Sequence, residues 1–179
     1  MARTTFKGPV RSLSGFISTG DVMGQAIGAG TIDGGTDVAG IDLYQGRCVT
    51  IGDTTTIFNL PEIVSDSAVN PSTLSTIGLE YQFLVTTNLS GNTFTLNAGT
   101  AASRSTADVF EGCAWYANTA ADPHVVTAFT AGSTDTLTLN GTDQGGLCGS
   151  QIFCRSVGAN IWSITCMLTG NGAFATPWS

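Results

Sequence analysis

From Arg47 onward the chain alternates apolar and polar residues in short runs, and no stretch with apolar residues at i, i+3 and i+4 interrupts them. A period of two is the signature of strands with one buried face, and it excludes an architecture built on amphipathic helices. In Leu79–Thr86, Leu79, Tyr81, Phe83 and Val85 share one face while Glu80, Gln82 and Thr86 share the other. In Ile161–Leu168, Trp162, Ile164, Cys166 and Leu168 alternate with Ser163 and Thr165. Thr93–Asn97 and Thr136–Asn140 are two shorter runs of similar sequence, and 47–51, 54–60, 111–117, 124–129 and 150–156 are further candidates. Most gaps hold Gly, Asn, Asp or Pro, as turns require, and Leu89-Ser90-Gly91-Asn92 reads as a hairpin turn between strands. Many short strands at close spacing predict an all-β fold, an antiparallel β-sandwich or barrel with a jelly-roll-like order among the options.

Two segments stand outside this pattern. Residues 1–20 have no helical period and are punctuated by Gly8-Pro9 and Gly15, so they read as an extended N-terminal arm. Residues 20–46 hold eight glycines, which disfavour helix and suit turns. The length of 179 residues fits one domain, taken as 21–179 behind the arm. The long loop 61–78 is expected to cover a sheet or meet a partner. The likeness of 93–97 to 136–140 fits an internal duplication, but Thr-Leu alternation is also common in any β protein.

Charge is sparse and unevenly placed. Only 11% of residues are charged, against roughly 25% in a typical soluble chain. Arg3, Lys7 and Arg11 provide half of the six basic residues, with no acid among them. All 13 acids lie between Asp21 and Asp143, so residues 21–179 carry 3 basic against 13 acidic residues, a formal −10. A pI near 4.2 argues against nucleic-acid binding, which needs clustered Lys and Arg to neutralise phosphates. No stretch approaches the ~20 apolar residues of a membrane span. The N-terminal charges are not followed by the apolar run of a secretory signal, so synthesis and assembly are expected in a cytoplasm. So few charges leave little to oppose self-association, and an oligomer is expected.

The residue types of catalysis are present without their patterns. Cys48, Cys113, Cys148, Cys154 and Cys166 lack zinc-knuckle spacing, and a single histidine cannot complete a mixed site. They read as small apolar residues, and nothing in the sequence supports a Cys148–Cys154 bridge. There is no Gly-x-Ser-x-Gly elbow. His124 with Cys113 is the one conceivable nucleophile pair, and His124 reads better as the end of the Asp122-Pro123 turn. Glu62, Glu80 and Glu111 are the only glutamates, and Glu80 sits on a polar strand face. Gly28-Ala29-Gly30 lacks the Lys-Ser/Thr ending of a phosphate loop. Asp33, Asp37 and Asp42 offer oxygens on a glycine-rich backbone, but their spacing matches no EF-hand. The expectation is a non-enzyme without cofactor or metal.

Several short segments carry a resemblance. The opening Met1-Ala2-Arg3-Thr4-Thr5-Phe6-Lys7-Gly8-Pro9-Val10-Arg11-Ser12 resembles the start of a group of small virion proteins of tailed bacteriophages, marine ones especially. Gly46–Ile51, Asn59–Ile63, the Tyr81–Val85 strand and the ending Gly170–Trp178 are similar to that group as well, whereas residues 20–46 match it poorly and Trp178 stands where phenylalanine is usual. The resemblance implies a capsid decoration (cement) protein, a homo-trimer seated on the major capsid protein lattice at the virion surface. An acidic body would face outward while the arm lies along the shell. The implied docking contacts are Arg3, Phe6, Lys7 and Arg11. A second contact is the Phe174–Trp178 tail, whose aromatics either dock or fold back to cap their own sheet. A head-fibre or tail module that binds host-surface glycans is the alternative, with Trp115-Tyr116 as its aromatic pair.

Overall fold

The computed structural model describes residues 24–28, 30–33, 46, 48–63, 77–99, 108–120, 125–158 and 160–179. The predicted arm (1–20), most of the loop 61–78, and Asp37, Asp42 and His124 lie outside the described residues. Among those described there is no helix, and eleven strands form two sheets. The strands are β1 (Gly24–Ile27), β2 (Gly30–Asp33), β3 (Cys48–Ile51), β4 (Thr56–Asn59), β5 (Glu80–Val85), β6 (Phe94–Asn97), β7 (Val109–Asn118), β8 (Val125–Thr134), β9 (Thr136–Leu139), β10 (Gln151–Gly158) and β11 (Ile161–Gly170). One sheet runs β1-β3-β5-β10-β11-β7-β8 and the other β2-β4-β6-β9; neither closes into a barrel.

The all-β expectation holds, but the antiparallel one gives way to a mixed arrangement. Five of the nine strand pairings are parallel, which also sets the fold apart from an antiparallel jelly roll. The reason lies in the first six strands, which alternate between sheets. β1, β3 and β5 stack in parallel in one sheet, and β2, β4 and β6 stack in parallel in the other. A parallel pair cannot be joined by a tight hairpin. Here each return passes through the facing sheet.

Leu89–Asn92 is therefore an arch rather than the predicted hairpin, since β5 and β6 belong to different sheets. Hydrogen bonds tie successive arches together. Asp53, in the β3–β4 arch, accepts from the Ser90 backbone N–H (2.7 Å) and the Asn92 amide (3.0 Å) of the β5–β6 arch. The Thr56 hydroxyl donates to the Gly28 carbonyl (2.8 Å) of the β1–β2 arch. At the opposite end of the strands, the Asn97 amide donates to Asn59 (2.8 Å) and the Thr136 hydroxyl donates to Asn97 (3.2 Å).

From β7 onward hairpins return. β7 and β8 pair antiparallel, as do β10 and β11, whose turn places Gly158 at φ 91° and Asn160 at φ 61°. Positive φ is tolerated best by these two residue types. The β9–β10 connection folds closely against the β5–β6 arch: a Cβ on Gly141 (φ 78°) would collide with the Leu89 carbonyl.

The core lies between the sheets. Phe58 of β4 meets the rings of Phe83 (5.0 Å) and Tyr81 (6.0 Å) of β5 edge-on, and Tyr81 meets Trp162 of β11 (5.8 Å). These four side chains are fully buried, and rings at such distances add to the stabilisation from burial alone. The 93–97 and 136–140 runs lie side by side as β6 and β9, in register Phe94↔Leu139 and Leu96↔Leu137. In both, alternate residues fill the same layer of core.

Candidate functional site

The outer face of the seven-stranded sheet departs from the usual polar surface. Residues pointing away from the core on β10, β11, β7 and β8 include Phe153, Val157, Met167, Trp115 and Val126, all exposed; Trp115 is 51% and Met167 61% accessible. The register brings Met167 and Trp115 together, with Phe153 in the adjacent row. Gln151 lies beside Met167, Met167 beside Trp115, and Trp115 beside Ala128. The next row runs Gln82–Phe153–Thr165–Cys113–Thr130. A third runs Glu80–Arg155–Ser163–Glu111.

Charge on this face is confined to that third row among the described residues. Arg155 pairs with Glu80 at 3.5 Å, both side chains substantially exposed, so the pair adds little to stability. The face holds one positive and two negative charges, against a formal −7 for the whole chain. A nearly neutral sheet surface on which Trp115, Met167 and Phe153 stand exposed among uncharged polar residues has the mixed composition of a contact region.

The predicted contacts divide into two groups. Arg3, Phe6, Lys7 and Arg11 lie outside the described residues. Phe174 and Trp178 lie against the chain's own core. The Phe174 ring packs edge-on against Tyr116 at 4.8 Å and is partly buried. Trp178 is 8% exposed, sits 6.3 Å from Phe110, and donates its indole N–H to the Phe129 carbonyl of β8 at 3.4 Å. The tail backbone continues the four-stranded sheet past β9. Thr138 donates to Pro177 (2.8 Å) and Ser179 to Thr136 (3.1 Å), covering an edge that would otherwise offer free backbone groups.

The Trp115-Tyr116 pair is split by the pleat. Trp115 faces outward, while Tyr116 is fully buried and donates its hydroxyl to the Thr142 carbonyl. The five cysteines are all free. Cys154 and Cys166 are buried, and burial pushes both thiols up, well away from the reactive thiolate. Cys48 and Cys113 are half-exposed on the outer face, and Cys148 is exposed with its thiol on the Thr86 carbonyl (3.3 Å). Among the described residues no group of three or more His, Cys, Asp or Glu is placed to hold a metal ion, and no helix is long and apolar enough to cross a membrane.

The outer face was partly legible in the sequence. Ile152-Phe153-Cys154 is apolar on both sides of a strand, and Met167 interrupts the polar series Ser163, Thr165. Near-continuous apolar runs mark strands covered on both faces. Comparison of the chain with protein families, characterised proteins and solved structures found no match.

Proposed function

We propose that this chain is a virion structural protein of tailed phages, a decoration (cement) protein that docks on the major capsid protein lattice and stabilises the mature head. The observation that carries the reading is the charge layout: Arg3, Lys7 and Arg11 precede residues with a formal −10, in a segment that resembles the opening of such virion proteins. An extended arm can add a strand to an exposed sheet edge, gaining main-chain hydrogen bonds while its side chains set specificity. Arg3, Phe6, Lys7 and Arg11 are the docking residues of this proposal. Phe174, less buried than Trp178, is the contact that the tail can still offer.

Binding to the assembled shell alone stabilises the shell by mass action. The chemistry is non-covalent, and the reading calls for no catalysis, cofactor, nucleic acid or membrane. It places the protein on the capsid surface after synthesis in the host cytoplasm. The homo-trimer implied by the resemblance is a separate part of the proposal, open to measurement by itself.

Co-sedimentation with undecorated mature capsids, full length against a variant lacking residues 1–16, tests the reading. Saturable binding that weakens without the arm is expected. Binding that survives the deletion moves the contact to the β body, and no binding by either form sinks the reading. The exposed indole of Trp115 favours one alternative, a head-fibre or tail module that stacks on host glycans. Reproducible binding on a glycan array without capsid binding would establish it.

A further inference from the structure

We infer that the outer face of the seven-stranded sheet is a self-association surface whose occupant is the same face of a second copy, related by a twofold axis running close to β11. This goes beyond the capsid reading and stands without it; for the free chain it sets a dimer against the homo-trimer of that reading, and sedimentation separates the two.

The size is adequate. The five strands from β5 to β8 span roughly 24 Å at their usual spacing, and strands of eight to ten residues run about 30 Å. Two copies would cover about 1,400 Å² in total, within the range of about 1,200–2,000 Å² for specific interfaces. The face is a sheet surface, and packed sheets keep their strand directions within about 30° of each other, a range that includes the near-parallel crossing of a twofold along β11.

Charge selects the occupant. A second copy of an acidic chain is repelled almost everywhere, and least where the face holds one basic and two acidic groups. A twofold axis along β11 exchanges the two strands that flank it, so β10 of one copy lies over β7 of the other. Rows are preserved by that operation. In the charged row, Arg155 and Glu111 flank Ser163 on opposite sides. Arg155 of each copy therefore stands over Glu111 of the other, twice per dimer by symmetry. Glu111 has no ion-pair partner among the described residues of its own copy.

In the two uncharged rows the same operation places Met167 over its own counterpart on the axis, Trp115 over Gln151, and Phe153 over Cys113. A flexible thioether is well suited to meeting itself there. The arrangement is isologous and closes at two copies.

Sedimentation velocity on the full chain over a hundredfold concentration range, under reducing conditions, is the test. The expected result is a reversible monomer–dimer equilibrium. Met167→Lys puts two like charges on the axis and should leave only monomer, with circular dichroism and melting unchanged. Arg155→Glu should weaken the dimer at least tenfold (about 1.4 kcal/mol). Adding Glu111→Arg to it should restore most of the loss, because the exchanged charges again face each other. A monomer at every concentration overturns the inference. So does a trimer or dimer that Met167→Lys leaves intact, or a double variant no tighter than Arg155→Glu alone.

Discussion

The inner and outer faces of the seven-stranded sheet both carry large apolar side chains, yet they do different work. On the inner face Tyr81, Phe83, Trp162 and Ile164 are removed from water when the chain folds, so each contributes directly to stability. On the outer face Phe153, Trp115 and Met167 keep about half of their surface in water after folding. Their contribution to folding is small, and it is recovered only when another surface covers them. The comparison shows that hydrophobicity alone does not mark a core; the side of the pleat on which it falls decides whether it serves folding or association.

That division can be broken most severely from inside. Phe83→Ala removes a fully buried ring that meets Phe58 and Phe94, and should cost about 3–5 kcal/mol in urea unfolding. A loss below ~1 kcal/mol would mean that the two sheets do not pack as described. Trp178→Ala comes next: it exposes Phe110 and removes the side chain that anchors the tail over the β9 edge, and a loss of about 1.5–3 kcal/mol is expected. Backbone exchange at Thr138 should accelerate in the same variant, and unchanged protection there would separate the tail from the sheet edge.

The outer face should answer in the opposite way. Trp115→Ser should change monomer stability by no more than ~0.5 kcal/mol while weakening self-association, measured by unfolding at low concentration and by sedimentation. A large loss of stability in the monomer would erase the distinction between the faces.

The smallest effect concerns Asp53, outside both faces. The Ser90 backbone N–H, and then the Asn92 amide, hold its carboxyl below the ordinary value of 3.8. A lowered folded value favours the folded state above 3.8, and that contribution disappears as pH falls through the folded value. The melting temperature of Asp53→Asn should therefore fall slightly less than that of the parent between pH 5 and 2.5. An identical slope would show that the arch bonds are not populated in solution.

The sequence discloses these faces more readily than it discloses the fold's connectivity. Alternation located every strand from β3 to β11, because a period of two is local and survives any pairing direction. It could not show direction, and so the parallel stack of β1, β3 and β5 was hidden. β1 and β2 sit inside a glycine-rich stretch that reads as turns; they are ordered by backbone pairing to β3 and β4, which leaves no pattern in the side chains. Leu89–Asn92 shows the same limit, since turn residues signal a change of course but not which sheet receives the next strand. For the site, Trp115 was visible by type, but its separation from Tyr116 depends on the pleat, and Met167 gains its place only from its neighbours on β10 and β7.

The β10–β11 hairpin sits between β5 and β7, although both of those strands precede it in the chain. A sheet in that order cannot be assembled by adding strands in sequence. Until the hairpin inserts, β5 and β7 each present an unpaired inner edge, and the contacts that seal them span long loops. Refolding should therefore be slow for a chain of this size, with a late keystone step. During that interval the open edges can recruit other chains, so protein concentration will govern the yield of refolding far more than the durability of the finished molecule.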